Sequence, residues 1–421
     1  MVKKIVLSPI KKFWNKLGPG FITGSSDDDP SGVATYASAG ATFGYGMLWL
    51  SWFSIPLMIA VQEMSARIGM VSGRGVIGAI KHRVPRPLLL GAILLVVVAN
   101  SINIGADIGA MADAMHLLAP SWNFYYIAIA FTVFCVCLQI FVDYKLYVKY
   151  LKWLTLSLFS YIAVVLYLHI DWGAVWSATL FPHIAFTRDT MLMITAIFGT
   201  TISPYLMFWQ ASEEVEEEIT MGRATISERK NATIREIKDM RFDVSFGMIF
   251  SNIVMFFIVL TTAVVLFGSG TTINTAADAA RVLQPLAGDG AGLLFALGIL
   301  GAGLLAVPVL AGSGAYAVSE MFGWRSGLNL KWFEAKKFYL VIALATASGL
   351  LVNFVGIPPM QMLVWTAVIN GFVAPFTILL LLVAGNDEKE MGKYRNSTLS
   401  NFFGGLTLFI MVASIILFFV V

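Results

Sequence analysis

GPGFITGSSDDDPSGVATYASAGATFGYGMLWL, residues 18–50, reads as a membrane helix interrupted in its middle. Pro19, Phe21 and Ile22 open an apolar run that Val33 to Leu50 resume, and Asp27-Asp28-Asp29-Pro30-Ser31-Gly32 lies between. Pro30 lacks a backbone donor and pushes the residue before it out of helical geometry; Gly32 weakens the helix further. Unwound backbone at membrane depth persists only where it is buried in protein or lines a cavity. A carboxylate at the bilayer centre costs roughly 2.5–3.5 kcal/mol on insertion scales, so three aspartates beside such a break point to a cation site. The competing reading is an extramembrane turn between two short helices.

The rest of the chain supports the membrane reading. It has 421 residues, 58% hydrophobic and 13% charged, about half the charge of a soluble domain. Runs long enough to span a bilayer fall at about 19–43, 46–70, 87–116, 122–141, 148–170, 190–213, 240–267, 290–320, 337–355, 358–384 and 398–420, eleven in all. With the N-terminus in the cytoplasm and the C-terminus outside, inner segments carry 26 of the 28 Lys and Arg residues, and outer segments only Arg188 and Arg281. That asymmetry is the positive-inside pattern, so the net charge of +3 reports orientation in a cell inner (plasma) membrane and no nucleic-acid partner. No short apolar region ending in a cleavage site marks a removable signal peptide. Cys135 and Cys137 sit inside a span and read as packing.

The sixth span, MLMITAIFGTTISPYLMFWQAS (191–212), repeats the interruption. Gly199 and Pro204 flank Thr200, Thr201, Ile202 and Ser203. Interrupted segments in corresponding halves point to a secondary transporter with inverted repeats and a substrate at the midplane. The expected architecture is one all-α transmembrane transport domain over 1–421. Repeat one covers about 19–170, repeat two about 190–384, and an eleventh helix about 398–420, with helices 1 and 6 broken. Neither HExxH, GxSxG nor a phosphate-binding loop is present, so nothing supports an enzyme.

Several of these residues match a known family. GPGF (18–21), Asp29-Pro30, Ala34-Thr35, Ala39-Gly40 and Phe43-Gly44-Tyr45 resemble the first-helix signature of the NRAMP divalent-metal transporters. Gly199 followed by Pro204, and Ala374-Pro375-Phe376 in the tenth span, extend the likeness over essentially the whole chain. The resemblance implies a LeuT-like fold and inward movement of transition metals, usually with protons. It also implies that Asp29 is a metal ligand.

The departures from the family pattern carry equal weight. The family's Asp-Pro-Gly-Asn becomes Asp29-Pro30-Ser31-Gly32, without the Asn ligand, and Gly32 leaves room for a larger, partly hydrated ion. In the sixth helix Thr200, Ser203 and Tyr205 stand where the family has Ala, Met and His. Losing the thioether removes the donor that favours transition metals. Carboxylate, hydroxyl and carbonyl oxygens with room for water suit Mg²⁺, as in the NRAMP-related magnesium transporters. In the third span Asp107 is kept, but Ala110 replaces the Glu implicated in proton transfer. Asp107 therefore reads as structural first and proton-transferring second, and Tyr205, with an ordinary pKa near 10, is a poor proton shuttle.

The expected metal set is Asp29, Asp28, Thr200, Ser203 and Gly32, with Tyr205, Gln210, Asn370 and Asp107 along the ion pathway. No cofactor is expected, since Mg²⁺ or Mn²⁺ is cargo, and partners are the ion and the lipid bilayer, with a monomeric protein. Two further readings stay open: a proton-coupled Mn²⁺ or Fe²⁺ symporter, and a sodium-coupled organic solute symporter. The acidic run EEVEEE (213–218) reads as part of a solvated cytoplasmic helix and loop extending to Arg241. The alternative has Glu213, Glu214 and Glu217 lining an inner vestibule. Gln62, Glu63, Asp243 and Glu320 are expected to pack or to pair with cytoplasmic basic residues. His82, His116, His169 and His183 form no metal-ligand spacing.

Overall fold

The computed structural model describes residues 17–142, 159–230, 232–268 and 273–421. Its architecture is all helical. The first span divides into α1 (Pro19–Asp27) and α2 (Pro30–Phe43), followed by α3 (Leu48–Ser72), α4 (Arg86–Leu118) and α5 (Phe124–Phe141). The span expected over 148–170 falls partly outside the described residues, as do Lys145, Lys149, Lys152 and the N-terminal lysines; from Phe159 a helix runs to Val164. The sixth span also divides, into α6 (Arg188–Thr201) and α7 (Pro204–Thr220). Then come α8 (Ile234–Leu266), α9 (Ala291–Phe322), α10 (Lys336–Gly349), α11 (Pro359–Gly385) and α12 (Thr398–Val420). Among the described residues nine helical segments are long and apolar enough to cross a membrane.

Both breaks have local causes. Asp29 is extended and caps α2, its Oδ1 accepting the Gly32 N–H at 2.7 Å, and Pro30 opens the helix where a missing N–H costs nothing. At the second break Ser203 is extended and Pro204 opens α7 in the same way. Each break thus presents a helix C-terminus, with its unpaired carbonyls, beside a helix N-terminus.

Small residues let the broken helices approach their neighbours closely, as membrane bundles require. A methyl group added at Gly24 of α1 would overlap the Gly247 backbone of α8. One at Gly199 of α6 would overlap the backbones of Ala367 and Gly371 in α11. Large apolar side chains face outward along the bundle, among them Leu94, Phe134, Phe409 and Phe419. Cys135 is buried as expected of packing, whereas Cys137, turned by two residues of helix, is exposed.

At one end of the bundle the basic residues gather. Arg67, nearly fully buried, donates to Glu63 (2.9 and 3.1 Å), to the Tyr394 carbonyl (2.5 Å) and to Asn396 (2.9 Å), while Arg241 donates to Glu63 at 2.8 Å. Glu63 therefore pairs with basic residues as expected. Among the described residues Asp243 and Glu320 do not. The Asp243 carboxylate accepts the N–H groups of Gly18, Gly20 and Phe21 (2.9, 2.7 and 3.2 Å) at the start of α1. Glu320 accepts those of Gly75 and Gly78 (2.6 and 2.9 Å) at the short helix Val76–Ile80. Helix starts expose unpaired donors and a partial positive charge, so backbone N–H groups outcompete lysines for these carboxylates.

Candidate functional site

The two breaks meet. A Cβ placed on Gly32 would lie 3.1 Å from the Asp27 carbonyl oxygen, 3.2 Å from Thr200 Oγ1 and 3.4 Å from a Tyr36 ring carbon. Gly32 is thus the point where the first break, the second break and Tyr36 converge, and any larger residue would fill that gap. Asp27, Asp28, Asp29, Thr200 and Ser203 are all buried here.

Asp29 is the hub. Its Oδ1 accepts the Ser31 hydroxyl and the Gly32 N–H, both at 2.7 Å. Its Oδ2 accepts Asn103 Nδ2 at 3.2 Å and the Tyr205 hydroxyl at 3.3 Å. Tyr205, expected along an exit path, instead belongs to the centre, its hydroxyl also reaching the Ser26 carbonyl at 3.4 Å. Asp28 is held differently: the Ser251 hydroxyl of α8 is shared between Asp27 (2.6 Å) and Asp28 (3.3 Å).

The sixth-helix residues split their roles. Ser203 donates its hydroxyl to the Thr200 and Gly199 carbonyls (2.5 and 3.0 Å), so that hydroxyl is spent on its own break. The buried hydroxyls of Thr200 and Tyr36 interact with each other, and Asp27 Oδ1 is buried without a hydrogen-bond partner among the described residues. Buried oxygens without partners are rare in folded proteins; Asp27 Oδ1 is one of several in the bundle, and it lies where the two helix breaks meet.

A polar relay leads away from Asp29. Asn103 donates both to Asp29 and, at 3.2 Å, to Asp107 on its own helix, and its carbonyl accepts from Asn370 at 3.2 Å. Asp107 therefore connects to the centre through one amide, and Asn370 is a neighbour once removed. Asp107 Oδ1 and Asn370 Oδ1 are also buried without partners. Asn103 and Ser251 are the residues sequence reading missed. Asn100, Asn103 and Asp107 share one face of α4 by helical spacing, a signal that points at Asn103. Ser251 and Asn252 form a polar pair deep in an apolar span.

Below the centre, Gln210 donates to Glu214 at 2.9 Å, and Glu214 lines a cavity of about 250 Å³ at the basic end of the bundle. Glu214, Glu217, Glu218, Glu236, Asp239 and Asp243 face it, with Arg223 the basic residue in its wall. This corrects the expectation of a solvated helix over the acidic run. Glu213, Glu214, Glu216 and Glu218 are buried, because α7 continues helical to Thr220 and tucks the run into the bundle. Glu214, Glu217, Glu218 and Met221 recur at i, i+3, i+4 and i+7, one helix face. Of the three residues of the vestibule alternative, Glu214 and Glu217 line this cavity and Glu213 does not. Arg223 bridges Glu218 (3.0 Å) and Glu236 (2.5 Å) across the cavity.

Known proteins share this architecture. The solved structure of the Eremococcus coleocola manganese transporter, in complex with an aromatic bis-isothiourea compound, matches with a TM-score of 0.75 at 18% identity, over 98% of this chain and 88% of that one. Mhp1, a nucleobase-cation-symport-1 family transporter, matches with a TM-score of 0.53 at 14% identity, over 92% and 81%. Together they establish the LeuT-type arrangement. In sequence, the divalent metal cation transporter MntH of Caldanaerobacter subterraneus is 23% identical over 413 residues, 94% of this chain and 90% of the relative. MntH of Aeromonas hydrophila is 23% identical over 423 residues, 97% and 98%. The family pattern described as natural resistance-associated macrophage protein-like matches residues 20–421. With both broken helices and the aspartate hub inside that match, the chain belongs to the Nramp family.

Proposed function

We propose that the protein is a secondary transporter that carries Mg²⁺ inward, with Mn²⁺ as a second substrate, by exposing the site between the two broken helices to each side in turn. One observation carries the reading: Ser203 stands where the family resemblance calls for a thioether, so a hydroxyl replaces the pattern's soft sulfur donor. Mg²⁺ takes one or two carboxylates and keeps several waters, and hard oxygen ligands do not favour transition metals. Asp29 supplies the charge. Thr200 Oγ1, beside Gly32 and next to the Tyr36 hydroxyl, supplies a neutral oxygen, directly or through water, and Asp28 deepens the potential.

On this reading the N-terminus is cytoplasmic in the plasma membrane, the C-terminus is outside, and the monomer is the working unit. The two inverted repeats move around the fixed site. The acidic cavity beneath is the exit, and membrane potential drives entry at roughly 4.6 kcal/mol per 100 mV for a divalent ion, twice the single-charge value. Coupling to protons is weak or absent, since Ala110 and Tyr205 replace the ionisable groups the resemblance calls for.

The relatives favour a second reading, proton-coupled Mn²⁺ transport, because those named are manganese or divalent-metal transporters. One experiment separates the two. The purified protein and Asp29→Ala are titrated with Mg²⁺ and Mn²⁺, and Mg²⁺ uptake is followed in liposomes loaded with a pH dye. Mg²⁺ binding lost in Asp29→Ala, with uptake and no acidification, supports the first reading. Tight Mn²⁺ binding without a Mg²⁺ response, and with acidification, replaces it by the second.

A further inference from the structure

The opposite face of α7 borders a second cavity at the basic end, about 480 Å³, which the cation pathway does not use. Ser212, Val215, Glu216 and Ile219 line it from α7, and Tyr316, Ser319 and Glu320 from α9. Arg74, Lys81 and Arg229 bring three positive charges to its wall.

The charges there are paired against expectation. Both carboxylates in the wall are engaged by neutral donors: Glu320 by the N–H groups of Gly75 and Gly78, and Glu216 by Tyr316 OH (3.2 Å) and Asn329 Nδ2 (2.7 Å). Glu218, on the same helix, is held by Arg223. Among the described residues the three cations donate hydrogen bonds to backbone carbonyls, and carboxylates act on them only at longer range, Glu216 and Glu218 on Arg229 and Glu320 on Lys81. Arg229 donates to Gly73 and Ala224 (both 3.0 Å), Lys81 to Glu320 (3.1 Å), and Arg74 to Gly78 at 3.5 Å. Arg74 Nε is buried with no partner, and so is the Ser319 hydroxyl in the same wall. A guanidinium carries five N–H donors in a planar fork shaped for carboxylate or phosphate. Two such forks, a lysine and a buried hydroxyl around a cavity this size leave most of their donors to a ligand.

We propose that this cavity binds a phosphate-bearing anion, with Arg74 and Arg229 as the principal donors and Lys81 at the rim. Phosphate is favoured over a carboxylate ligand because three cations converge where a single carboxylate needs one bidentate fork. Two sources offer that chemistry. Basic pockets between membrane helices bind anionic lipid headgroups, and Trp324, Ile219 and Ile226 give this one an apolar border. Free phosphate or a soluble phosphate ester carries the same group.

The test uses the full-length protein, delipidated in detergent at fixed ionic strength. Thermal unfolding is followed by the fluorescence of its eleven tryptophans while one of three probes is titrated: inorganic phosphate, micelles doped with phosphatidylglycerol, or micelles doped with phosphatidylcholine. A ligand that binds only the folded state stabilises it by RT ln(1 + L/Kd) at free concentration L, so the transition keeps rising with the logarithm of ligand concentration above Kd. Stabilisation by phosphatidylglycerol but not phosphatidylcholine or phosphate identifies a headgroup site; stabilisation by inorganic phosphate identifies a soluble one. In the double variant Arg74→Gln with Arg229→Gln, the concentration that produces a given shift rises roughly tenfold or more, the scale of one lost charge-assisted hydrogen bond. Ser326→Glu, which places a competing carboxylate in the wall without touching the arginines, has the same effect and covers the case in which the double variant does not fold. No stabilisation by any anion, or equal stabilisation in these variants, overturns the proposal.

Discussion

Asp243→Asn tests what holds α1 in place. Three backbone N–H groups at the start of that helix converge on one carboxylate, at 2.7 to 3.2 Å, from a residue more than two hundred positions away. Asparagine keeps the shape but offers one carbonyl oxygen, turns an N–H₂ toward the remaining donors and removes the charge facing the helix start. One charge-assisted hydrogen bond is worth about 1.5–3 kcal/mol, and a negative charge at a helix N-terminus about 0.3–1 kcal/mol. The glycine seam between α1 and α8 stays intact, so the expected loss is about 2–4 kcal/mol, the sum of those two terms. At 1.4 kcal/mol per factor of ten, α1 then detaches about 30-fold to several hundredfold more often. Amide hydrogen exchange reads this directly: protection over Thr23–Asp27 falls by that factor, while a peptide from the centre of α8, such as Val254–Leu260, is unchanged. Unaltered exchange in α1 would refute the latch, and an equal rise in both peptides would mean that the substitution loosens the whole bundle.

Other perturbations follow from the same geometry. Gly24→Ala drives a methyl group into the Gly247 backbone, and overpacking of this kind costs about 1–3 kcal/mol, read as a lowered unfolding temperature in detergent. Removing one partner of a buried ion pair costs about 3–5 kcal/mol, so Glu63→Ala, which takes the carboxylate from the buried Arg67, is expected to lower the unfolding temperature in detergent more than Glu217→Gln in the acidic cavity. Ser203→Met replaces a hydroxyl with a soft thioether and frees the Thr200 carbonyl; competition between Mg²⁺ and Mn²⁺ in uptake is expected to move toward Mn²⁺. Asn103→Leu leaves Asp29 and Asp107 each short of a donor, at about 1–3 kcal/mol per unsatisfied group, and calorimetric titration is expected to register a changed ion affinity although Asn103 is not itself proposed as a ligand.

How much of this was legible depended on whether the cause is local. The breaks are written in Asp29-Pro30 and Ser203-Pro204, because a cap and a proline act within one turn, and both helix starts fall at those prolines. The hub aspartate was legible for the same reason, together with the cost of a charge at membrane depth. The roles of Asp243 and Glu320 were not, since the donors they satisfy belong to helix starts far away in sequence. The acidic run misled for a related reason: six residues of EEVEEE look solvated in composition, but continuing α7 by two turns sets two faces of that run against two different walls. Tyr205 was placed along the pathway and not at Asp29 because the sequence does not show which way the first turn of α7 faces, and it is the docking of α7 against the first break that brings the hydroxyl to Asp29.

The central site has more acceptors than donors, and that imbalance argues for a mobile cation. Asp27, Asp28, Asp29 and Asp107 are buried together, and the hydrogens that reach them come from Ser31, Gly32, Asn103, Tyr205 and Ser251. Oxygens on Asp27 and Asp107 receive none, and none of these four aspartates has an ion pair among the described residues. A lysine at any adjoining position would balance the charge permanently, as Arg67 does for Glu63 and Arg223 for Glu218. A fixed ammonium would also compete with any ion that has to arrive and leave. Where charge neutrality serves stability alone, as at Glu63, this protein uses arginine. At the meeting of its two broken helices no described basic side chain pairs with the four aspartates, and Gly32 keeps the space between the breaks open, as a site for an arriving cation would require.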